Sequence, residues 1–372
     1  MKVVPGVGLA IATVTGVTGR IVLFGATGYT GGRTAEAMRA RGLTPVLAGR
    51  DPQRLAALAE RLGCETARAD VTDMASVAAL VGPEDVLVTT VGPFARLGGA
   101  ALAAVVSAGA TYLDSAGEPA FIREVFELQG PAAERSGARL LTAFGNDYVP
   151  GVLAGALALR DAGERAARVD VGYFVLGRGR LFSRGTLESS VGVASSPAYS
   201  VRDGVLQTEP GARRLRTYAV DGVPRPAFSV GASEHFALPR LHPGLRIVDV
   251  HLGWFGRASH AVHAASRLPA PPAAVAKGLG ALVRRLPRDP DPAALAAARS
   301  VTIAEVFDAG GTLLARTRVR FGEPYGVTAD LLAWGAQRAS EQGVEGVGAL
   351  DPVGAFGLDT LAELEFFSVE RS

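Results

Sequence analysis

Three glycines, Gly25, Gly28 and Gly31, recur at intervals of three directly after the short apolar run Arg20-Ile-Val-Leu-Phe24 and directly before a stretch, residues 32–41, that reads as a helix. Gly25 permits a tight turn, Gly28 lets backbone come close to a bound group, and Gly31 lets the helix pack hard on the strand. The N–H groups at the start of such a helix have no internal partners and attract an anion. The spacing is Gly-x-x-Gly-x-x-Gly rather than the commoner Gly-x-Gly-x-x-Gly, so its meaning rests on what surrounds it.

What surrounds it is an alternation of strand and helix. Pro45-Val-Leu-Ala48 reads as a second strand, and Asp51-Pro52 opens a helix with Leu55, Leu58 and Leu62 on one face and Gly63 as its stop. Residues 65–69, 85–89, 111–113 and 139–142 read as further strands, with helices over about 73–80, after Gly99, and over about 119–135. Strands alternating with helices at this spacing predict an α/β chain with a doubly wound parallel sheet, followed by a second, α+β domain. The expected organisation is a flexible tail over 1–19, a nucleotide-binding Rossmann domain over 20–150, and an α+β substrate or dimerisation domain over 151–372 whose C-terminal helices pack back on the first domain.

In that context the glycine loop predicts a dinucleotide site formed by Gly25, Thr27, Gly28, Tyr29, Thr30 and Gly31. The second strand selects the nucleotide. An acidic residue at its end accepts hydrogen bonds from ribose hydroxyls, whereas here the strand ends in Ala48-Gly49-Arg50, with Arg54 one helical turn on. Arginine there suits a 2′-phosphate through forked, charge-assisted hydrogen bonds, so NADP is favoured over NAD. Asp51 reads as the cap before Pro52. Asp70 and Val71, after the third strand, are expected beside the adenine, and Val91, Gly92 and Pro93, after the fourth, beside the nicotinamide.

Composition removes several alternatives. The chain has 372 residues, of which 38 are Lys or Arg and 36 Asp or Glu, a net charge of +2 that gives no field for nucleic acid. Only Lys2 and Lys277 are lysines, and neither sits where a Schiff base, a phosphate-loop lysine or a Tyr-x-x-x-Lys pair needs one. Cys64 is the only cysteine, so no disulfide framework or cysteine zinc site is expected, in keeping with a cytoplasmic setting. His260 and His263 read as helix-surface residues, and no metal is expected. Residues 3–19 loosely imitate a signal peptide but contain Pro5 and several glycines, and residues 97–113 break into helix and strand, so no membrane span is expected.

The second half changes pattern. Val169-Asp-Val-Gly-Tyr-Phe-Val175 and Ile247-Val-Asp-Val-His-Leu-Gly-Trp-Phe255 alternate like strands, with Asp249 and His251 on one face of the latter. Residues 301–321 read as a hairpin turning at Asp308-Ala-Gly-Gly311, and residues 328–338 as a late helix. Residues 269–292 are rich in Pro and Ala and read as a packing helix or connector. Arg316, Arg318 and Arg320 share one strand face, where they either meet solvent or attract a carboxylate or an acyl-CoA phosphate.

The segments GATGYTGG (25–32), LAGRDPQRL (47–55), TTVGPFARLG (89–98), YLDSAGE (112–118) and GNDYVPG (145–151) resemble the saccharopine dehydrogenase-like superfamily, and most of all its short bacterial members known as saccharopine dehydrogenase or trans-acting enoyl reductase. The resemblance covers residues 20–155 and thins to pieces beyond, such as Ser183-Arg-Gly-Thr186. It implies an N-terminal NAD(P)-binding Rossmann domain, a C-terminal α+β domain on a mixed sheet, and substrate between them. Reactions in the family run from opine C–N chemistry to enoyl reduction. The shortage of lysine departs from its lysine-using members and points away from saccharopine oxidation.

Hydride transfer needs an acid or water to balance charge rather than a protein nucleophile. Ligands bind at the carboxyl ends of strands in such sheets, which makes Asp114, Ser115 and Glu118, and then Asn146, Asp147 and Tyr148, the candidates. Tyr148 is the proton donor by residue type, Asp147 either an acid or a brace of the turn, and His251 with Asp249 an oriented pair where their face lines the cleft. The expectation is an NADP(H)-dependent oxidoreductase acting on a C=C, C=N or C=O bond of a small or acyl-carried substrate, with a homodimer left open. The alternative is a non-catalytic NADP-binding sensor or scaffold.

Overall fold

The structure is a computed structural model and describes residues 19–187, 197–267, 285, 287 and 289–372. The N-terminal tail over 1–18, with Lys2, and most of the Pro/Ala-rich stretch, with Lys277, lie outside the described residues. Strands β1 (Ile21–Phe24), β2 (Val46–Gly49), β3 (Thr66–Arg68), β4 (Val86–Thr89), β5 (Thr111–Asp114) and β6 (Arg139–Leu141) alternate with α1 (Tyr29–Ala40), α2 (Pro52–Leu62), α3 (Met74–Ala78), α4 (Phe94–Leu97), α5 (Gly99–Ala108), α6 (Pro119–Glu124) and α7 (Gly130–Ser136). The strands pair in parallel in the order β3-β2-β1-β4-β5-β6, so the order reverses between β1 and β4 and opens a crevice at their carboxyl ends. The fully buried runs Ile21–Phe24 and Val86–Thr89 show why these strands read as unbroken apolar segments: helices cover both faces.

Next come α8 (Val149–Ala162) and β7 (Arg168–Leu176), then β8 (Pro197–Arg202), β9 (Val205–Pro210), β10 (Leu215–Val220) and β11 (Val223–Val230). They are followed by α9 (Glu234–Leu241), β12 (Ile247–Leu252), α10 (Ser259–Ala265), α11 (Pro292–Ala296), β13 (Arg299–Phe307) and β14 (Leu313–Phe321). A second sheet of nine strands runs β10-β11-β12-β7-β13-β14-β16, where β16 is Ser368–Arg371, and β8 joins β12 to β9. It is mixed, because β12 lies parallel to β7 while β13 and β11 are antiparallel to their neighbours. Helix α8 is apolar all round, with Val149 to Leu159 buried throughout, and packs beneath β7, β13 and β14.

The chain then crosses back. Helix α12 (Pro324–Gln342) lies along α1 and against β4 and β5, and β15 (Gly348–Ala349) adds a seventh parallel strand beside β6. The contact is close: a Cβ on Gly335 would stand 2.6 Å from the Phe144 ring and 2.7 Å from Leu113. Trp334 stacks on Phe144 and edges Phe356.

The sequence reading needs correcting at Arg316, Arg318 and Arg320. Arg316 pairs with Glu305, Arg318 lies 4.0 Å from Glu370, and Arg320 pairs with Asp221 and Glu370, so carboxylates on β13, β16 and the β10–β11 turn already neutralise this face. No helix among the described residues is long and apolar enough to cross a membrane, and no group of three or more His, Cys, Asp or Glu among them is placed to hold a metal.

Candidate functional site

The glycine loop adopts the geometry its spacing predicts. Gly25 has φ +91°, and a Cβ there would press on Thr90 and Val91 at 2.8 Å. A Cβ on Gly31 would stand 2.1 Å from the Gly25 carbonyl oxygen, so α1 touches the strand through that glycine. No side chain caps α1, whose N-cap is Gly28, which leaves its first N–H groups facing the crevice. This cradle fits a pyrophosphate. Arg54 donates to the Thr27 carbonyl at 2.9 Å, which lays it across the loop. Arg50 stands exposed just past the end of β2. Asp51 caps α2 through bonds of 3.1 Å from the N–H groups of Gln53 and Arg54.

Around the adenine and nicotinamide ends the picture is mixed. Asp70 accepts from the Thr72 N–H and hydroxyl at 3.0 and 2.8 Å; these bonds, aided by the nearby Arg50 charge, hold its carboxyl below the usual range. Val71 is half-buried against the core. Val91, Gly92 and Pro93 follow β4, and Val91 borders Gly25. Glu118 does not cap the helix that follows it. Its carboxylate reaches across to accept from the N–H groups of Phe94 and Ala95 at 2.8 and 2.9 Å, at the start of α4.

A recess of ≈ 100 Å³ joins this crevice to the second sheet. Thr30 reaches it from α1, Ser115 from beyond β5, and Asn146 and Asp147 from beyond β6. Phe182, Thr186 and Trp254 come from the second domain, and Tyr325 and Thr328 from α12. Phe182 and Trp254 stack with ring centres 4.9 Å apart and form an aromatic wall. Ser183, Thr186 and Tyr325 share a hydroxyl cluster, with 2.8 Å between the Thr186 and Tyr325 oxygens. Thr328 accepts from the Asn146 N–H at 3.0 Å, and Asn146 donates its side-chain amide to Asp147 at 2.9 Å. Surrounding protein strips water from Asp147 and pushes its carboxyl up to about 7, the Asn146 bond opposing.

The three catalytic candidates separate. Asp147 lines the recess. Tyr148 is buried: its ring edges Tyr173, and its hydroxyl lies 3.5 Å from the Gly117 and Gly231 carbonyl oxygens, away from the recess. His251 is likewise buried, 2.9 Å from the Tyr218 hydroxyl, because the β10–β11 hairpin curls over that sheet face. Dehydration pulls its imidazole down to about 3. Asp249, on the same face, is buried and paired with Arg202 and Arg214, so the two form no acid–base pair in the recess. Sequence reasoning missed Tyr173, Glu234, Phe182 and Tyr325. Only Ser183 and Thr186, within the motif at 183–186, were marked by resemblance.

Residues 25–118 match a family described as NAD(P)H-binding. A Mycobacterium tuberculosis protein is 39% identical over 186 residues, 47% of this chain and 44% of that one; its name places it provisionally among trans-acting enoyl reductases. The trans-acting enoyl reductase of Mycobacterium ulcerans is 38% identical over 137 residues, 35% of this chain and 33% of that one. The chain thus spans less than half the length of these relatives. Apo saccharopine dehydrogenase (L-Glu forming) from Saccharomyces cerevisiae superposes with a TM-score of 0.61 over 95% of this chain and 100% of that one at 13% identity, which shows a shared fold. Residues 25–118 thus belong to an NAD(P)H-binding domain, in a chain that is similar over part of its length to trans-acting enoyl reductases and shares the fold of saccharopine dehydrogenase.

Proposed function

We propose that the chain is an NADPH-dependent reductase that saturates an enoyl C=C bond, with Asp147 as its proton donor. The observation that carries the reading is a dehydrated carboxyl, pushed up to about 7, in a recess bordered both by Thr30 of the phosphate loop and by Trp254 and Phe182 of the second domain. An acid that titrates near neutrality is half protonated there and half ready to be reprotonated, which suits general acid work. A reduced nicotinamide supplies hydride when bound; the chain has to supply the matching proton and exclude water. Asn146 orients the Asp147 carboxyl, and Thr328 fixes Asn146 in turn.

Arg50 and Arg54 support NADPH over NADH, since both cations flank the β2–α2 turn where a 2′-phosphate would sit. The aromatic wall and the hydroxyl cluster suit an uncharged acyl segment, and no Lys or Arg lines the recess among the described residues. Homology to proteins named for trans-acting enoyl reduction favours C=C over C=N or C=O. We read residues 20–150 as the cofactor half and 151–372 as the substrate half, with 324–349 rejoining the first. An acyl-carried substrate follows from the same reading.

The test is NADPH oxidation by the purified chain with enoyl thioesters, against keto acid and amine pairs as controls. Asp147→Asn is expected to lower kcat by about 10²–10⁴-fold while NADPH still binds. A chain that binds NADPH but leaves enoyl thioesters untouched overturns the reaction; one that binds neither nicotinamide overturns the whole reading.

A further inference from the structure

Behind Asp147, on the side away from the recess, lies a polar group that the proposed reaction does not use. Glu234, the first residue of α9, is fully buried, and no cation among the described residues pairs with it. Its Oε1 lies 2.5 Å from the Tyr173 hydroxyl, which in turn lies 3.2 Å from the main-chain carbonyl oxygen of Tyr148, the residue after Asp147. Its Oε2 accepts no hydrogen bond among the described residues. Helix α8 is shaped around this pair: a Cβ on Gly151 would stand 1.9 Å from the Tyr173 hydroxyl oxygen and 2.1 Å from Glu234 Oε1.

Counting hydrogens separates two states of this link, at a Tyr148 carbonyl that also accepts from the Gly151 and Val152 N–H groups at 3.2 Å. A tyrosine hydroxyl has a single hydrogen to give. With Glu234 ionised, Tyr173 gives it to the carboxylate and the Tyr148 carbonyl loses that donor. With a proton on Oε1, Glu234 donates to the Tyr173 oxygen and Tyr173 donates to Tyr148, so each contact has one donor and one acceptor. The geometry points to Glu234 as a positioning residue: a carboxylic acid that, through Tyr173, grips the Tyr148 carbonyl and so holds the segment presenting Asp147 to the recess.

The surroundings agree. Dehydration, with the Asp147 charge adding and Tyr173, its own N–H and the Ser233 side chain opposing, pushes the Glu234 carboxyl up to about 8. The groups facing it are Tyr173 from β7, Asp147 and Tyr148 from the entry to α8, and Tyr199 from β8, with Arg123 and Glu127 beyond Tyr199. His235, its neighbour on α9, is buried and pulled down to about 4, so it offers no positive charge near neutrality. Ionising Glu234 turns the Tyr173 hydrogen away from Tyr148 and puts a second negative charge near Asp147, which couples the two titrations.

The functional meaning rests on the reading of Asp147 as the proton donor, but the test does not need the reaction. Infrared spectra of the full chain are titrated from mildly acidic to mildly alkaline pH in the wild type, Glu234→Gln, Tyr173→Phe and Asp147→Asn, the last assigning the Asp147 band. At neutral pH the wild type is expected to carry a protonated-carboxyl band that Glu234→Gln lacks. Because an amide N–H can replace the acid as donor to Tyr173, Asp147 should keep its midpoint in Glu234→Gln. In Tyr173→Phe, where the grip is lost and water reaches Asp147, the midpoint should fall by about one pH unit. No Glu234 band at neutral pH, or an unmoved midpoint in a folded Tyr173→Phe, overturns the proposal. Should Tyr173→Phe fail to fold, the Glu234 band decides alone. Failure of NADPH oxidation leaves these spectra intact, so the two readings fail separately.

Discussion

The phosphate loop and the Glu234 interior are both built around a glycine that a methyl group would ruin, yet they are made in opposite ways. The loop is a run of seven consecutive residues, 25–31, whose requirements fall on its own backbone: a positive φ at Gly25 and close approach at Gly31. The interior draws one polar group each from β7, the start of α8 and α9, joined by hydrogen bonds spanning 25 and 61 residues of sequence. Backbone demands within a short window leave a mark in composition, because only glycine meets them. Mutual satisfaction of distant polar groups leaves none.

The largest expected effects test that parallel directly. Gly31→Ala and Gly151→Ala should each cost about 1–3 kcal/mol in urea unfolding, since each new Cβ meets an atom near 2.1 Å. Gly31→Ala should also abolish NADPH binding, whereas Gly151→Ala should spare it. Loss of binding in both would mean the regions are not separable. Next, Arg50→Ala should weaken NADPH by roughly ten- to a hundredfold, from about 1.5–3 kcal/mol for a charged hydrogen bond, and leave NADH unchanged. Equal losses for the two nucleotides would remove Arg50 from 2′-phosphate recognition.

A smaller effect concerns His251. Its imidazole is pulled to about 3 from an ordinary 6.5, so below pH 6.5 the unfolded chain takes up a proton that the folded chain refuses. Stability is thus full above that pH and lost as pH falls toward 3, by up to about 1.4 kcal/mol per pH unit. His251→Gln should flatten the acid limb of a melting-temperature profile without touching its alkaline limb. The smallest effect belongs to Arg318→Ala, whose 4.0 Å contact with Glu370 should be worth under about 0.5 kcal/mol in the same unfolding assay.

How far the sequence could be read follows the same line. The Rossmann strands, the Asp51 cap and the β13–β14 hairpin were legible because apolar runs, caps and turn residues are local signals. Strands β8 to β11 were not anticipated, although Asp203-Gly204 and Asp221-Gly222, all at positive φ, carry the two-residue hairpin signature. Their strands, with Val205 and Val223 exposed, lack a clean apolar alternation. Helix α8 escaped notice because a helix buried on every side has no polar stripe to set its period. At the site, Asp147 was visible as a residue at a strand end. The turning away of Tyr148 and the burial of His251 depend on Tyr173 and Tyr218, brought in from elsewhere.

One feature of the first sheet bears on how the molecule comes into being. Six of its seven strands are among the first 141 residues, but the seventh is Gly348–Ala349, and the helix that seals α1 ends only at Gln342. On the ribosome, the strands that carry the phosphate loop emerge before residues 324–349, which leaves the edge of β6 and one face of α1 uncovered until those residues follow. A chain cut near residue 150 should therefore yield aggregates rather than a small nucleotide-binding protein.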